Sequence, residues 1–139
     1  MPSIRYQRLA SELLPLANKF YKSQRSPMRV GRSEQVWVAQ QAEIIAACCL
    51  KPVADGHWLT ALLVAREQRQ QGIASQLLNE LRAHSQGPIW LFCAPELLSF
   101  YQRLGFAPCP ALPAELTERL LRYQRKQPLL ALAAAQQCG

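Results

Sequence analysis

The chain contains 139 residues, half of which are apolar, and its 16 basic and 9 acidic residues give a formal net charge of +7. A chain of this length buries the core of one domain and leaves little room for a second, so we expect residues 1–139 to form a single domain. Charged residues make up 18% of the sequence, below the ~25% of ordinary soluble domains, which excludes a disordered polyelectrolyte.

Residues 4–64 contain four predicted strands and one predicted helix. The strands lie at 4–8, 36–39, 44–50 and 57–64. The helix begins at Ser11-Glu12, and its apolar residues recur at helical spacing. These residues are Leu13, Leu16, Ala17, Phe20 and Tyr21. Pro15 fits this helix only in its first turn, where its missing N–H costs nothing. Pro52 and Asp55-Gly56 are expected to break the chain before the last strand. The closeness of the last three strands predicts an antiparallel meander.

Residues 65–135 alternate between predicted helices and strands. In chain order these are a helix from near Gly72 to Gly87-Pro88, a strand at 89–93, a helix at 95–104, a strand at 106–109, a helix from Pro113 to Pro128 and a last apolar segment at 129–135. The last segment fits a strand or a helix equally well. We expect Leu97 and Tyr101 to share one face of their helix, and Tyr123 to lie on a buried face with Leu116 and Leu120. The whole order is typical of a mixed α/β (α+β) fold.

The cysteines and histidines form no metal-binding or disulfide pattern. The five cysteines are odd in number and include no Cys-x-x-Cys pair, and there are only two histidines. We therefore expect no disulfide scaffold and no metal, with Cys48, Cys49 and Cys93 as buried thiols. The N-terminus lacks the apolar stretch of a signal peptide, and no window reaches the ~18 apolar residues of a membrane span. We expect a cytoplasmic protein without a membrane partner.

The segment at residues 62–75 carries the chemistry. A strand ending at Val64 runs into a polar loop, and the loop runs into a helix that starts near Gly72. Backbone N–H groups at a helix N-terminus lack partners and carry partial positive charge, so they suit phosphate oxygens. Gly72 and Ala74 are small enough for a phosphate to approach the backbone, and Arg69 adds a cation. The alternative is a turn in which Gly72 only permits a tight bend.

Two motifs resemble those of a known family. The spacing Arg69-x-x-Gly72-x-Ala74 resembles the Arg/Gln-x-x-Gly-x-Gly/Ala signature of the GNAT superfamily of acyl-CoA-dependent N-acyltransferases. Downstream, Phe100-Tyr101-x-x-x-Gly105-Phe106 resembles the Phe-Tyr-x-x-x-Gly-Phe segment of that family. The predicted elements between residues 4 and 109 also follow the family order, so the resemblance covers roughly three quarters of the chain.

The resemblance implies a central mixed, mostly antiparallel sheet, flanked by helices and splayed at the strand that carries residues 62–64, with acetyl-CoA bound in the splay. The strand backbone would bond the pantetheine arm at Leu62, Leu63 and Val64. The loop amides would hold the pyrophosphate at Arg69, Gln70, Gln71, Gly72, Ile73, Ala74 and Ser75. Tyr101 would protonate the leaving thiolate of CoA, which a phenol beside the sulfur can do. The helix after Pro113 is an addition to the family pattern, and it either returns residues 129–135 as the final strand or provides a contact between copies, as in a homodimer.

The chain departs from the family pattern in two ways. Many relatives carry an asparagine seven residues before the tyrosine, where this chain has Ala94. Many also carry a glutamate on the cofactor strand as the base, but the only titratable side chain of this strand is His57, whose neutral imidazole can take a proton from the amine directly or through water. Weaker candidates for the base lie in predicted loops, namely Glu34, Glu43 and Asp55. An amine of low pKa would need no side-chain base, because a chain of water molecules could carry its proton away.

The sequence supports two functions of different classes. The leading prediction is an N-acetyltransferase in which the primary amine of a small molecule or peptide attacks acetyl-CoA directly, while strand N–H groups hold the oxyanion. The alternative is a regulatory module of the same fold that senses acetyl-CoA with little or no catalysis. No nucleic-acid recognition motif accompanies the basic residues, so we expect no nucleic-acid partner.

The positive charge lies mainly outside the two motifs. Residues 1–35 hold seven basic and two acidic residues, whereas residues 36–111 hold five of each. In the family, the first helix and the loop after it border the acceptor side of the site. We therefore predict a positive rim there, which disfavours polycationic acceptors and favours a neutral or acid-bearing amine. The rim residues are Lys19, Lys22, Arg25, Arg29 and Arg32.

Overall fold

The computed structural model describes residues 3–31 and 34–134. The strands in these ranges are β1 (Arg5–Arg8), β2 (Gln35–Gln40), β3 (Ile44–Val53), β4 (Gly56–Val64), β5 (Ile89–Cys93), β6 (Phe106–Pro108) and β7 (Leu130–Ala134). The helices are α1 (Leu14–Ser23), α2 (Ile73–His84), α3 (Leu98–Arg103) and α4 (Ala114–Gln124). None of these helices is long and apolar enough to cross a bilayer. Arg32 and position 135, the last of the predicted segment at 129–135, lie outside the described ranges.

The strands hydrogen-bond in the order β1-β2-β3-β4-β5-β7-β6. β4 and β5 run parallel, whereas β1–β2, β2–β3, β5–β7 and β6–β7 are antiparallel pairs. The prediction of a mixed, mostly antiparallel sheet with flanking helices is therefore confirmed. The last segment, for which the pattern allowed a strand or a helix, is a strand, and β7 lies between β5 and β6.

The chain divides into two compact units, each built from two stretches of sequence. The first comprises the described parts of Met1–Lys51 and Thr60–Ser85, and the second those of Pro52–Leu59 and Gln86–Gly139. Two of the three boundaries fall within strands, one in β3 and one in β4, and the third lies between α2 and β5. That residues 1–139 form a single domain stays a prediction.

The core of the first unit is the apolar face of α1 packed on β2 and β3. Ala17, Phe20 and Tyr21 follow the three- and four-residue spacing of one helix face, and all three are buried. They cluster with buried strand residues, including Val36, Val38, Ala47 and Cys49. Pro15 lies in the first turn of α1, as predicted. Leu13 and Leu16 share the same sequence periodicity but are exposed, so the buried face is narrower than the pattern indicates.

The core of the second unit joins α4 to the sheet. Leu116 of α4 is completely buried and clusters with Trp58, Trp90 and Ala133, which come from β4, β5 and β7. Trp58 is paired with Trp90 in the parallel β4–β5 register. Burial of a leucine side chain contributes about 1.5–3 kcal/mol, so Leu116 is the main anchor of α4 in this unit.

The prediction that Pro52 breaks the chain is wrong. β3 continues through Pro52 to Val53, and the turn that follows has Ala54 in a left-handed conformation with φ of +51°. Pro52 lies beyond Leu50, which pairs with the first residue of β2. Its missing N–H therefore removes no bond to β2.

Two predicted helix faces also need correction. Leu97 is 47% exposed, whereas Tyr101 is only 8% exposed. The reason is that Pro95–Leu97 forms a 3-10 turn with three residues per turn, so Leu97 does not lie on the same face as Tyr101 of α3. Tyr123 is 39% exposed. Its ring nevertheless lies 6.4 Å from that of Trp58 and 6.2 Å from that of Phe92, so it covers the edge of an aromatic cluster instead of entering the core.

Candidate functional site

The end of β4 in the first unit is only half-buried. Leu62, Leu63 and Val64 are each partly accessible, whereas the middle of β3 is buried throughout. A strand end of this kind can pair its backbone with an extended ligand in the way that a sheet edge accepts another strand. These are the three residues that the resemblance assigns to the pantetheine arm.

The strand reaches this end through an unusual residue. Ala61 has φ of +59°, a left-handed conformation that residues other than glycine seldom adopt. Its carbonyl oxygen accepts a hydrogen bond of 2.8 Å from the hydroxyl of Tyr21, which is fully buried. Burial raises the pKa of Tyr21 far above its ordinary range, so the hydroxyl keeps its proton and donates.

The loop after β4 is fixed at its start by backbone hydrogen bonds. The N–H of the buried Ala65 donates to the carbonyl of Ile45 at 2.8 Å. The N–H of Arg66 donates to Oε1 of Gln24 at 3.0 Å. These bonds attach the loop to β3 and to the end of α1, so the residues that follow leave from a defined position.

Two residues of the loop adopt left-handed conformations. Gln70 has φ of +64° and Gly72 has φ of +75°, with Gln71 between them. An alternation of this kind turns successive backbone N–H groups towards one side, which is the geometry of an anion-binding nest. A Cβ added to Gly72 would meet no protein atom within 4 Å, so the space in front of the helix is open to a ligand.

The first turn of α2 presents unpaired N–H groups to that space. Gly72 is the N-cap and has no side chain with which to cap the helix. The backbone N–H of Gln76 donates a hydrogen bond to the carbonyl oxygen of Gly72 at 3.0 Å. The N–H groups of Ile73, Ala74 and Ser75 precede it in the first turn, where an α-helix offers no internal acceptor. The helix dipole adds partial positive charge at the same place, and a phosphate is the ligand that this arrangement favours.

Arg69 joins the loop to the strand end. Its Nε donates to the carbonyl of Val64 at 3.2 Å, and the side chain is exposed. The sequence predicted Arg69 as a cation for phosphate. The structure adds that the same side chain closes the connection between β4 and α2, so the predicted strand and loop residues lie together in the first unit.

The two predicted catalytic residues lie in the second unit. His57 is partly buried in β4, pairs with Ile89, and its backbone N–H donates to the carbonyl of Pro88 at 2.9 Å. Tyr101 lies on α3 and is almost completely buried. Its ring meets those of Phe100 and Phe106 edge-on, with centroid distances of 5.0 and 5.9 Å. Their assignments as base and acid stay predictions.

The remaining candidates are explained by local structure. The Glu34 carboxylate accepts a hydrogen bond from the N–H of Gly31, and Glu43 and Asp55 are exposed in turns. Cys93 is buried, and burial raises its pKa, which keeps it a thiol and not a thiolate nucleophile. Within residues 3–31 and 34–134, no group of three or more His, Cys, Asp or Glu side chains is placed to hold a metal ion.

Sequence reasoning did not identify Tyr21 or Ala61 as parts of this region, and it placed Gln70 in the phosphate-binding loop without predicting its left-handed conformation. Tyr21 was assigned to the buried face of its helix, which is correct, but its hydroxyl also reaches a backbone carbonyl 40 positions away. Ala61 and Gln70 carry no sequence signal for a left-handed conformation, because that signal normally comes from Gly, Asn or Asp.

Comparison with known proteins places this geometry in a family. A family model described as an acetyltransferase (GNAT) domain matches residues 32–108. Among solved structures of similar fold, Escherichia coli ElaA is 17% identical, with a TM-score of 0.62 over 96% of this chain and 99% of that chain. An acyl-CoA N-acyltransferase from Pseudomonas aeruginosa is 18% identical, with a TM-score of 0.64 over 96% of this chain and all of that chain.

A third similar structure contains ligands. It is an N-acetylglutamate synthase from Neisseria gonorrhoeae complexed with coenzyme A and N-acetyl-glutamate. The identity is 16% and the TM-score 0.63, over 96% of this chain and 34% of that chain. At these identities the likenesses establish the fold. No curated protein sequence matches the chain significantly.

Proposed function

Because the chain belongs to the GNAT family of acetyltransferases, we propose that it transfers an acetyl group from acetyl-CoA to a primary amine of a small molecule or peptide. The observation that carries this proposal is the hydrogen bond from Arg69 to Val64. It joins a half-buried strand end to a helix start that suits phosphate. Those are the two surfaces that an acyl-CoA requires, one for the amides of its pantetheine arm and one for its pyrophosphate.

The residues of the first unit fit this donor. The backbone of Leu62, Leu63 and Val64 would pair with the pantetheine arm, and the amides of residues 69–75 would hold the pyrophosphate. Gly72 supports this assignment because its missing side chain leaves open space at the helix start. The exposed Arg69 would contribute a cation beside the phosphates.

The proposed chemistry is direct transfer. Acetyl-CoA supplies an acyl group activated as a thioester; the new C–N bond forms as the C–S bond breaks. His57 would take the proton that the amine loses, and Tyr101 would give a proton to the departing sulfur. Backbone N–H groups of β4 would stabilise the negative charge that develops on the carbonyl oxygen. Each such donor typically lowers the activation free energy by roughly 2.7–4 kcal/mol, which raises the rate a hundredfold or more.

The acceptor is proposed to be neutral or acid-bearing. Lys19, Lys22, Arg25 and Arg29 are all exposed on α1 and in the loop after it. Their charge would repel a polycation and attract a carboxylate. N-acetyl-glutamate, present in the Neisseria structure, is an acetylated amine of this acid-bearing class. Comparison of acetyl transfer to amino acids and to polyamines tests this, and faster transfer to a polyamine would contradict it.

A second candidate function is acetyl-CoA sensing without catalysis. It is favoured by Ala94, which stands where many relatives carry an asparagine, and by β4, which contains no carboxylate between Gly56 and Val64. A protein of this kind would keep the donor surface and lack an efficient base. It would bind acetyl-CoA and release little CoA whatever amine is supplied.

Two measurements on the full chain test the proposal and separate it from the alternative. Calorimetric titration with acetyl-CoA reports donor binding, and a thiol reagent reports CoA release in the presence of a panel of amines. Binding with amine-dependent thiol release supports the transferase. Binding without release on any amine favours the sensor, and no binding at high micromolar acetyl-CoA contradicts both.

A further inference from the structure

Tyr21 is tied to the strand that the proposed donor site uses. Its side chain is completely buried in the core of the first unit, and its hydroxyl donates to the carbonyl oxygen of Ala61 at 2.8 Å. The same oxygen of Tyr21 lies 3.8 Å from Sγ of Cys49 on β3. The hydroxyl therefore connects α1 to two strands, to β4 through Ala61 and to β3 through Cys49.

Ala61 is the residue that needs this bond. Its φ of +59° places an alanine in the left-handed region inside a strand. Such a conformation is strained for a side chain with a Cβ and persists only where the surroundings hold it. Ala61 and Leu63 both pack against the cluster that contains Tyr21, so the side chains and the hydrogen bond act on the same short stretch.

The carbonyl of Ala61 and the N–H of Leu62 belong to one peptide group. A peptide group is planar, and none of the described peptide bonds is cis, so the two groups point in opposite directions. When the hydroxyl of Tyr21 fixes the direction of the Ala61 carbonyl, it also fixes the direction of the Leu62 N–H. Leu62 is the first of the three residues proposed to contact the donor.

We propose that Tyr21 is a positioning residue for the donor site, holding Ala61 in its left-handed conformation and thereby setting the backbone direction of residues 62–64 for acyl-CoA. This rests on the proposed function, because it assumes that acyl-CoA lies along these residues. Tyr21 itself is completely buried, so its side chain would not touch the ligand. Its contribution reaches the donor through a single peptide group.

The test uses Tyr21→Phe, which removes the hydroxyl and keeps the ring. Titration with acetyl-CoA, at a temperature where thermal unfolding shows each variant to be folded, is expected to give about tenfold weaker binding, the equivalent of one hydrogen bond. Tyr6→Phe in β1 is the matched control in the same unit and is expected to bind as the unchanged protein does. Equal binding by Tyr21→Phe and the unchanged protein would overturn the proposal.

A second variant separates positioning from general stability. Ala61→Gly removes the strain of the left-handed conformation, because glycine adopts positive φ without steric cost. In the Tyr21→Phe chain, Ala61→Gly is expected to restore part of the lost acetyl-CoA binding at a temperature where both variants are folded. If the double variant binds no better than Tyr21→Phe, Tyr21 does not act through Ala61. Absence of binding by the unchanged protein would instead remove the proposed function.

Discussion

The side chain of Arg69 donates a hydrogen bond from Nε to the backbone carbonyl of Val64, 3.2 Å away. The bond spans the 3-10 turn Arg66–Gln68 and holds the end of β4 beside the loop that leads into α2. A single residue thus closes the connection and brings positive charge to a helix start whose amides favour phosphate. The geometry gives Arg69 a structural role and an electrostatic role that experiments can separate.

Arg69→Ala is expected to weaken acetyl-CoA binding by about three- to tenfold, because both a charged partner for phosphate and the connection to Val64 are lost. Arg69→Lys should lie between this variant and the unchanged protein, since it keeps the charge without the planar guanidinium. Calorimetric titration measures all three. Arg66→Ala is the control, because the described contact of Arg66 with Gln24 uses its backbone N–H; an equal loss in both variants would contradict a special role for Arg69.

Tyr101→Phe is expected to lower the turnover number by about ten- to a hundredfold while leaving the affinity for acetyl-CoA nearly unchanged. The reason is that a general acid acts on the leaving sulfur and contributes little to ground-state binding. Steady-state kinetics and titration together measure the two effects. Tyr123→Phe, which alters a more exposed tyrosine of the same unit, should change neither. A loss of affinity without a loss of turnover would remove Tyr101 as the acid.

Alkaline pH is expected to destabilise the folded chain through Cys49. Burial raises the pKa of this thiol to about 11 from its ordinary value of 9.0, although its hydrogen-bond contact with the Tyr21 hydroxyl partly opposes the shift. Between these two values the unfolded chain has lost the proton that the folded chain retains, so the free energy of unfolding falls as the pH rises.

Urea unfolding between pH 8 and pH 10.5 measures this dependence. Cys49→Ala should reduce the slope without abolishing it, because burial also raises the pKa values of Cys48 and Tyr21, which remain in the variant. The contribution of one thiol is on the order of 2 kcal/mol at most over this range. The same slope in the variant and the unchanged protein would show that the buried thiol does not contribute.

Two leucines of α4 should differ sharply in their effect on stability. Leu116 is completely buried, whereas Leu121 is 59% exposed. Leu116→Ala is expected to lower the free energy of unfolding by about 2–5 kcal/mol, because it leaves a cavity among Trp58, Trp90 and Ala133. Leu121→Ala should change it by less than about 0.5 kcal/mol. Equal effects in urea unfolding would mean that α4 does not pack as described.

The sequence predicted the elements that depend on periodicity and on glycine. α2 was indicated by four apolar residues at helical spacing, and its start by Gly72, which is left-handed as the loop requires. The four residues, all of them buried, are Ile73, Leu77, Leu78 and Leu81. The strands of both units were found near their observed positions because apolar runs bounded by turn residues are a local signal.

Features set by tertiary contacts were not predictable. The left-handed conformation of Ala61 depends on a hydroxyl 40 residues away, and nothing near Ala61 in the sequence announces it. Pro52 was expected to end a strand, but its tolerance depends on where β2 begins to pair with β3. Tyr123 has the periodicity of a buried residue and yet lies at the edge of an aromatic cluster. In each case a partner distant in sequence decides the outcome.

If the start of α2 holds the phosphates of acyl-CoA, a negative charge placed there by Ala74→Asp should weaken acetyl-CoA binding. A carboxylate in the first turn stabilises the helix, so the variant should unfold at the same temperature as the unchanged protein or above it, yet its negative charge would repel the pyrophosphate.

The matched control is Ala114→Asp, which makes the same change in the first turn of α4. Calorimetric titration with acetyl-CoA is expected to show at least about tenfold weaker binding for Ala74→Asp and unchanged binding for Ala114→Asp. Binding of acetyl-CoA by Ala74→Asp as tight as that of the control would contradict phosphate binding at the start of α2.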